Sequence, residues 1–236
     1  IKASMRFYQR LLAGDEHRAG QMLREQVEQS SFEKACDKVI IPALKRIRSD
    51  HDAEHLDDSD ASRLFALVGG LIAECSGNRQ NSETANEAHS NTVDSGFVLP
   101  RIISCTSHHY ISETLVLNLL RIGGEGVYEV DTIEDDTLPL EIARQVARDN
   151  PPVVVIVVLP KGGFAQARYL CKSIRSEGYS GSVVVACLGK FKSFDKLFVM
   201  FRNAGATNMT TSYSQTVTKI SSILKRYSPA LQTHTL

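Results

Sequence analysis

The run "VVVIVVL" at residues 153–159 constrains the fold more than any other feature of the sequence. It is apolar at every position, so both of its faces must be buried, as in a central strand of a parallel sheet. Proline precedes and follows the run, which limits it to the length of one strand. Seven residues are also far fewer than the roughly 20 needed to span a bilayer. The run therefore predicts an α/β domain.

Apolar runs and helical patterns alternate five times around this strand. The predicted strands are residues 98–103, 126–130, 153–159, 183–188 and, more weakly, 206–210. The predicted helices are residues 111–122, 138–147, 164–176, 194–203 and 215–227. Right-handed crossovers then predict a flavodoxin-like, doubly wound, five-stranded parallel sheet over residues 98–230.

Residues 1–75 instead show apolar positions at three- to four-residue spacing, which predicts a four-helix bundle that caps the α/β domain. Asp15 has the residue type and place of a helix N-cap. Pro42 falls inside the third helix and should kink it. Residues 76–97 are rich in Ser and Asn and predict a flexible linker, because such a composition buries too little apolar surface to order the chain.

The charge and cysteine content narrow the function. Lys+Arg and Asp+Glu both total 27, and this zero net charge disfavours a nucleic-acid-binding protein. The five cysteines include no CxxC pair, which is typical of reduced thiols in a cytoplasmic protein.

The predicted strand ends lack the motifs of several enzyme and switch classes. The sequence has no GxxxxGK[ST] loop, and "GGEG" at residues 123–126 follows a helix, so it is not a dinucleotide-binding turn. The third strand ends "VVLP" without a carboxylate, which excludes a phosphoacceptor receiver. Cys105 beside His108 or His109 lacks a third, orienting group for nucleophilic catalysis. We therefore expect no enzymatic activity.

Two weaker ligand patterns stay open. His51 and His55 have the spacing of a zinc pair, but their acidic surroundings are more typical of a solvated loop between helices. Lys161 precedes two glycines and a predicted helix start, where backbone N–H groups can hold an anion.

The order of helical cap and α/β domain resembles that of cobalamin-binding modules, as do Gly14–Asp15 and "PAL" at residues 42–44. The family motif DxHxxG would fall on residues 106–111. His108 stands at the position of the lower cobalt ligand, but Thr106 replaces the aspartate that would hold its second nitrogen. The SxL motif falls on residues 157–159, and the glycine pair falls on Ala186 and Cys187. The resemblance thus implies a degenerate cobalamin cleft.

The sequence is also similar to cytosolic domains attached to membrane permeases of the autoinducer-2 exporter type. The similar stretches are "YQRLLAGD" at residues 8–15, "PALKRIRSDHDAEHLDD" at 42–58 and "GGFAQARYLCKSIR" at 162–175. This resemblance implies a cytoplasmic regulatory appendage of a longer, membrane-embedded protein.

Together these observations predict a non-catalytic sensory or regulatory domain. We expect it to bind a small molecule or a protein partner in the cleft between the cap and the sheet, and we expect no nucleic acid. We expect no cofactor. One alternative is a genuine cobalamin-binding module, either a methyl carrier or a B12 sensor, with His108 as the lower cobalt ligand. A second alternative is a protein-interaction module that forms a homodimer. The predicted lining residues are Thr106, His108, His109, Leu159, Lys161 and Gly189.

Overall fold

The computed structural model describes residues 1–87, 98–106, 110–134 and 136–227, with the side chains of residues 78–87 excepted. It divides the chain into two compact units, Ile1–Val98 and Leu99–Leu236. The helices of the first unit are α1 (Ala3–Leu12), α2 (Glu16–Gln29), α3 (Phe32–Ala35), α4 (Ile41–Asp52) and α5 (Asp58–Glu87). Within the described ranges, no helix combines the length and the apolar character that a membrane span requires.

Asp15 and Pro42, two signals read from the sequence of the first unit, both lie at helix starts. Asp15 caps α2 by accepting a hydrogen bond from the Arg18 N–H at 3.3 Å. Pro42 lies in the first turn of α4, directly after a π-helical turn at Cys36–Ile40. A proline has no N–H to donate to the carbonyl four residues earlier, so the wider turn before it accommodates the missing bond.

Helix α5 is longer than its sequence pattern suggested. It extends to Glu87 and so includes twelve of the residues for which a flexible linker was predicted. Residues 78–87 contain neither glycine nor proline, so nothing in the backbone chemistry stops a helix that is already nucleated. Residues 88–97, the rest of the predicted linker, lie outside the described residues.

The second unit contains the predicted five-stranded parallel sheet, in the order β2-β1-β3-β4-β5. Its strands are β1 (Arg101–Cys105), β2 (Glu129–Thr132), β3 (Val153–Val158), β4 (Ser182–Cys187) and β5 (Asn208–Thr210). Its helices are α6 (Ile111–Gly123), α7 (Pro139–Asp149), α8 (Phe164–Ser176), α9 (Phe194–Asn203) and α10 (Tyr213–Arg226). The α/β, flavodoxin-like fold prediction is therefore confirmed.

Two strands lie later in the chain than predicted. Strand β2 begins at Glu129 instead of residue 126, because Gly126 has a φ of +76° and belongs to the turn that follows α6. Strand β1 begins at Arg101 and runs to Cys105. This shift matters for the site, because it puts Thr106 immediately after the end of β1.

The sheet carries helices on both faces. Alternate residues of β1, β3 and β4, among them Ile103 and Ile156, form one buried cluster with side chains of α7, α8 and α9. Successive side chains of a strand point to opposite faces, so Ile102 and Ser104 face the other layer, which contains α6 and α10. β3 is completely buried, as its apolar sequence predicted.

Arg175 joins two loops of the α/β unit at the amino edge of the sheet. Its guanidinium donates to the carbonyls of Gly205, Tyr179 and Gly181 at 2.8–2.9 Å. It also lies over the Tyr179 ring, with its Cζ 5.5 Å from the ring centroid. One always-charged group therefore ties the end of α8 to the starts of β4 and β5.

Candidate functional site

The strand order places a topological switch point between β1 and β3. The connection after β1 leads to β2 on one side, whereas the chain after β3 continues to β4 on the other. Ligands of open α/β sheets bind in the crevice outside the carboxyl ends of the strands at such a point. The residues that follow β1, β3 and β4 are therefore the candidate site.

The end of β1 combines buried hydroxyl and thiol groups. Ser104 is completely buried, and its Oγ makes no hydrogen bond with any described residue. Cys105 donates a weak bond from Sγ to the Val155 carbonyl at 3.7 Å, and Thr106 is only 7% exposed. His108 and His109, two of the predicted site residues, lie outside the described residues.

Helix α6 contributes a buried carboxylate that the sequence analysis missed. Glu113 lies in the first turn of α6 and is 1% exposed. The equally buried Ser112 donates from Oγ to Glu113 Oε2 at 2.6 Å. The positive end of the helix dipole favours a carboxylate at this place. A signal was available, because Glu113 shares the three- to four-residue spacing of Val116, Leu117 and Leu120, which are buried.

The loop after β3 is divided between core and surface. Leu159 is completely buried, so it packs beneath the edge of the sheet and does not form its outer surface. Lys161 is exposed. Gly162 and Gly163 have φ values of +100° and +84°, and Gly163 is the N-cap of α8. The chain therefore turns from β3 into α8 through a backbone conformation that glycine adopts readily.

The loop after β4 is held by backbone hydrogen bonds. The Leu188 N–H donates to the Val158 carbonyl at 3.0 Å, and the Gly189 N–H donates to the Thr211 carbonyl at 3.1 Å. The N–H of Gly189 is thus already used to join the ends of β4 and β5. Gly189, one of the predicted lining residues, offers a ligand its carbonyl and its small size.

The three thiols of this unit are buried, and their pKa values are raised. Burial raises the pKa of Cys105 far above its usual range, and the nearby Cys171 thiol adds to that increase. Burial also raises the pKa of Cys171 and of Cys187 to about 12. Because the thiolate is the reactive form, these protonated thiols act as small apolar side chains at neutral pH.

The structure also describes the segments considered for a phosphoacceptor receiver and for a dinucleotide-binding turn. The end of β3 carries Val157, Val158 and Leu159, so no carboxylate occupies the phosphoacceptor position of a receiver. Gly123 ends α6 and Gly124 is its C-cap, as expected for a helix end in place of a dinucleotide-binding turn.

The zinc pattern in the helical unit has no metal geometry in the described part of the chain. His51 Nε2 lies 2.7 Å from Asp58 Oδ1, and His55 Nδ1 lies 3.8 Å from Asp50 Oδ1. Each histidine therefore faces a different carboxylate. Within the described ranges, no group of three or more His, Cys, Asp or Glu side chains is arranged to hold a metal ion.

Comparison with known proteins gives similarity at the level of structure only. No protein-family model matches the chain. A search of curated proteins also finds no significant match.

Several solved structures overlap with the chain. A cobalamin-binding protein from Desulfitobacterium hafniense is 12% identical, with a TM-score of 0.45, over 92% of this chain and 96% of that one. The methanol:cobalamin methyltransferase complex MtaBC from Methanosarcina barkeri is 12% identical, with a TM-score of 0.41, over 93% and 78%. A CheY-like protein from Pseudomonas aeruginosa is 16% identical, with a TM-score of 0.42, over 57% and 97%. All three scores are below 0.5, so function and ligand must be argued from the residues of this chain.

Proposed function

We propose that the chain is a non-catalytic regulatory module that binds a small polar molecule at the carboxyl edge of β1 and β3. One observation carries the proposal: the completely buried Ser104 hydroxyl, which has no hydrogen-bond partner among the described residues. A buried hydroxyl without a partner costs roughly 1–3 kcal/mol, so a protein has reason to keep one where a ligand completes it.

The surrounding groups indicate the chemistry of that molecule. Thr106 follows Ser104 by two residues, and the buried Glu113 begins the helix that packs against β1. A carboxylate accepts hydrogen bonds and attracts positive charge, whereas a hydroxyl both donates and accepts. Such a set suits a ligand with hydroxyl or ammonium groups. The described strand ends offer neither a thiolate nor a phosphoacceptor carboxylate, which is why we propose binding without catalysis.

Substitution of Ser104 tests this proposal. We expect Ser104→Ala to raise the free energy of unfolding of the ligand-free protein by up to about 1 kcal/mol, because it removes a buried polar group that lacks a partner. We also expect it to weaken the thermal stabilisation that small polyols or primary amines give the wild type. Differential scanning fluorimetry with both compound classes measures the two effects.

Thr216→Val is the matched control for this experiment. Thr216 is buried on the same face of the sheet, but its hydroxyl donates to the Ser212 carbonyl at 2.7 Å and lies 2.7 Å from Thr210 Oγ1. In this variant the free energy of unfolding should fall by about 1 kcal/mol, because a hydrogen-bonded buried hydroxyl is removed. If Ser104→Ala is destabilised as much as Thr216→Val, the Ser104 hydroxyl serves the fold and the ligand proposal is wrong.

Cobalamin is the specific ligand that the resemblance implies, and the described residues do not fit it. Ala186 and Cys187 stand where the family has a glycine pair, and both are buried within β4. Val157 stands in place of the family's serine and is buried within β3. A corrin ring needs an open approach to the backbone at these places, which side chains obstruct.

Titration with hydroxocobalamin and adenosylcobalamin tests whether the protein binds cobalamin in place of a small polar molecule. We expect no change in the cobalt absorption bands at micromolar protein. A sub-micromolar shift that is lost in His108→Ala would replace our proposal with true cobalamin binding, with His108 as the lower ligand.

The cellular setting that we propose is the cytoplasmic side of a membrane transporter. Its support is the sequence similarity to permease-attached domains at residues 8–15, 42–58 and 162–175. The gene sequence upstream of the Ile1 codon tests it. Hydrophobic helices encoded there would support the proposal, whereas a kinase, DNA-binding or methyltransferase segment would contradict it.

A further inference from the structure

The balanced net charge of the chain hides a strong separation of charge along the sequence. Residues 1–160 contain 16 Lys+Arg and 25 Asp+Glu, a net charge of −9. Residues 161–227 contain 11 Lys+Arg and 2 Asp+Glu, a net charge of +9. The basic stretch covers α8, β4, α9, β5 and α10. Such asymmetry is typical of proteins that meet an anionic surface on one side.

Helix α9 has fewer buried residues than α8 or α10, the other helices of this basic stretch. Phe201 is its one residue that is fully buried. Phe201 lies 6.5 Å from Phe164, and Phe191, just before the helix, lies 5.8 Å from the same ring. These aromatic contacts anchor one side of α9 and leave the other side to solvent.

The solvent side of α9 carries apolar groups that no described residue covers. Phe194 is 39% exposed and Val199 is 43% exposed. Phe198 stacks on Phe194, with ring centroids 6.2 Å apart, and Arg202 lies over it at 5.7 Å. A cluster of exposed apolar side chains next to cations is typical of interaction surfaces.

Three exposed lysines, Lys190, Lys192 and Lys196, and one exposed carboxylate, Asp195, lie next to these apolar side chains in the sequence. None of the three lysines forms an ion pair with a described carboxylate. Some cations earlier in the chain differ from them, since Arg10, Arg24 and Arg101 each pair with Asp or Glu side chains. The lysines near α9 are therefore available to an anionic partner.

We propose that this basic aromatic surface docks on an anionic phospholipid bilayer. It consists of Lys190, Lys192, Phe194, Lys196, Phe198, Val199 and Arg202. Phenylalanine and valine side chains enter the boundary between headgroups and acyl chains, while lysines contact the anionic headgroups. The inference goes beyond the proposed function, because it concerns a different surface from the strand-end site.

The spread of the charge favours a membrane over a short acidic peptide. Helix α8, which packs against α9, has no acidic residue and exposes Arg168, Lys172 and the 59% exposed Tyr169. Cations on two neighbouring helices match a continuous anionic plane better than one bound strand. Phe198 already stacks on Phe194 and lies under Arg202, so it offers little open ring face to a nucleic-acid base.

Vesicle co-sedimentation of the full 236-residue chain tests the proposal. Phosphatidylcholine vesicles with about 30 mol% phosphatidylserine should bind the protein at least tenfold more strongly than pure phosphatidylcholine vesicles. Raising the salt from about 0.1 M to about 0.5 M should abolish most of that difference, because salt screens exposed charges. Equal binding to both kinds of vesicle, or binding to neither, would overturn the proposal.

Two surface variants locate the effect. The triple variant Lys190→Glu, Lys192→Glu and Lys196→Glu should bind the anionic vesicles roughly 100-fold more weakly. The double variant Phe194→Ser and Val199→Ser keeps every charge and should bind roughly tenfold more weakly, because it removes the apolar contribution. Thermal unfolding midpoints close to that of the wild type would show that both variants fold.

A charge-matched control separates a local surface from a global charge effect. The exposed residues Lys34, Lys38 and Arg63 belong to the helical unit, and their triple change to Glu alters net charge by the same amount. This control should bind vesicles like the wild type. An equal loss in the control, or full binding by the α9 triple variant, would contradict the proposal.

Two further results would assign the surface to another partner. Size-exclusion chromatography with light scattering would reveal a dimer that the α9 variants dissociate, and without vesicle binding this would make the occupant a second copy of the chain. Tighter binding of the same surface to a single-stranded oligonucleotide than to anionic vesicles would make it a nucleic-acid site. Either result overturns the membrane proposal.

Discussion

The helical unit and the α/β unit are stabilised by different kinds of buried group. In the helical unit, Tyr8 donates from its hydroxyl to Asp50 Oδ2 at 2.6 Å, and Arg46 Nε donates to the same oxygen at 3.0 Å. In the α/β unit, β3 is entirely apolar, and its main polar tie is Arg175 bound to three neutral carbonyls. Asp50 is thus held by a tyrosine hydroxyl and an arginine, whereas the buried carboxylate of the α/β unit, Glu113, accepts from the neutral hydroxyl of Ser112.

Because of this difference, we expect acid to destabilise the helical unit more than the α/β unit, although both have apolar cores. Hydrogen exchange followed by mass spectrometry can report on each unit separately, since peptides from residues 1–75 and 98–227 are distinct.

The largest losses of stability should come from cavities left by replacing buried phenylalanines. We expect losses of similar size in the two units. Phe7 and Phe201 are both completely buried. Phe7→Ala and Phe201→Ala should each lower the free energy of unfolding of their own unit by about 3–5 kcal/mol, through lost burial and the cavity that is left. Leu140→Ala is the exposed control and should change it by less than about 0.5 kcal/mol. A small effect at either phenylalanine would show a unit without a rigid core.

Removal of the Asp50 carboxylate should destabilise the helical unit by an intermediate amount. Asp50→Ala leaves the buried Tyr8 hydroxyl without its acceptor, which should cost about 2 kcal/mol. Adding Tyr8→Phe should recover part of the loss, because both partners of the bond are then gone. Urea unfolding of the single and double variants measures the coupling. Strict additivity of the two changes would mean that the Tyr8–Asp50 bond contributes nothing.

The smallest effect is the response to acid. Burial by itself raises the pKa of Asp50, but hydrogen bonds from Tyr8 and Arg46 and the charges of Arg46 and His55 outweigh it, so the pKa lies below its usual value. A carboxylate with a lowered pKa stabilises the fold above its unfolded pKa of about 4 and loses that contribution as the pH falls through the folded value. At pH values below about 4, the amides of the helical unit should therefore become less protected from hydrogen exchange.

Asp50→Asn provides the control for the acid response, since the amide still accepts hydrogen bonds but does not titrate. It should remove the acid sensitivity that is specific to the helical unit. In the α/β unit, hydrogen bonds from Arg101 lower the pKa of Asp131, but this ion pair is exposed and contributes little. If the α/β unit lost more protection from hydrogen exchange at low pH than the helical unit, the expected order of acid sensitivity would be wrong.

Most of the fold could be predicted, and the errors have physical causes. The bounds of α8 and α9 match their predictions because Gly163 and Ser193 immediately precede regular helical patterns. Strand β2 was misplaced because an apolar residue in a glycine-containing turn, Val127, has the same hydropathy as one in a strand. Helix α5 was predicted to end too early because polar composition alone does not stop a helix.

The candidate site was less predictable than the fold. Thr106 lies directly after β1 and Lys161 is exposed, whereas Leu159 is completely buried and the Gly189 N–H donates to the Thr211 carbonyl. The role of all four as lining residues stays a prediction. Glu113 was missed because a carboxylate on an amphipathic helix is normally assigned to solvent. The places of His108 and His109 stay predictions.

By itself, the sequence determined the alternation of strands and helices after residue 98, the parallel sheet and the lack of the P-loop and phosphoacceptor motifs. These properties depend on local spacing and composition, which the order of residues contains directly. Only the tertiary structure decided that Tyr8 meets Asp50 across 42 positions, that Arg175 reaches Gly205 across 30, and that Ser104 is buried without a described partner. Such pairings depend on how distant segments pack, and local spacing carries no record of that.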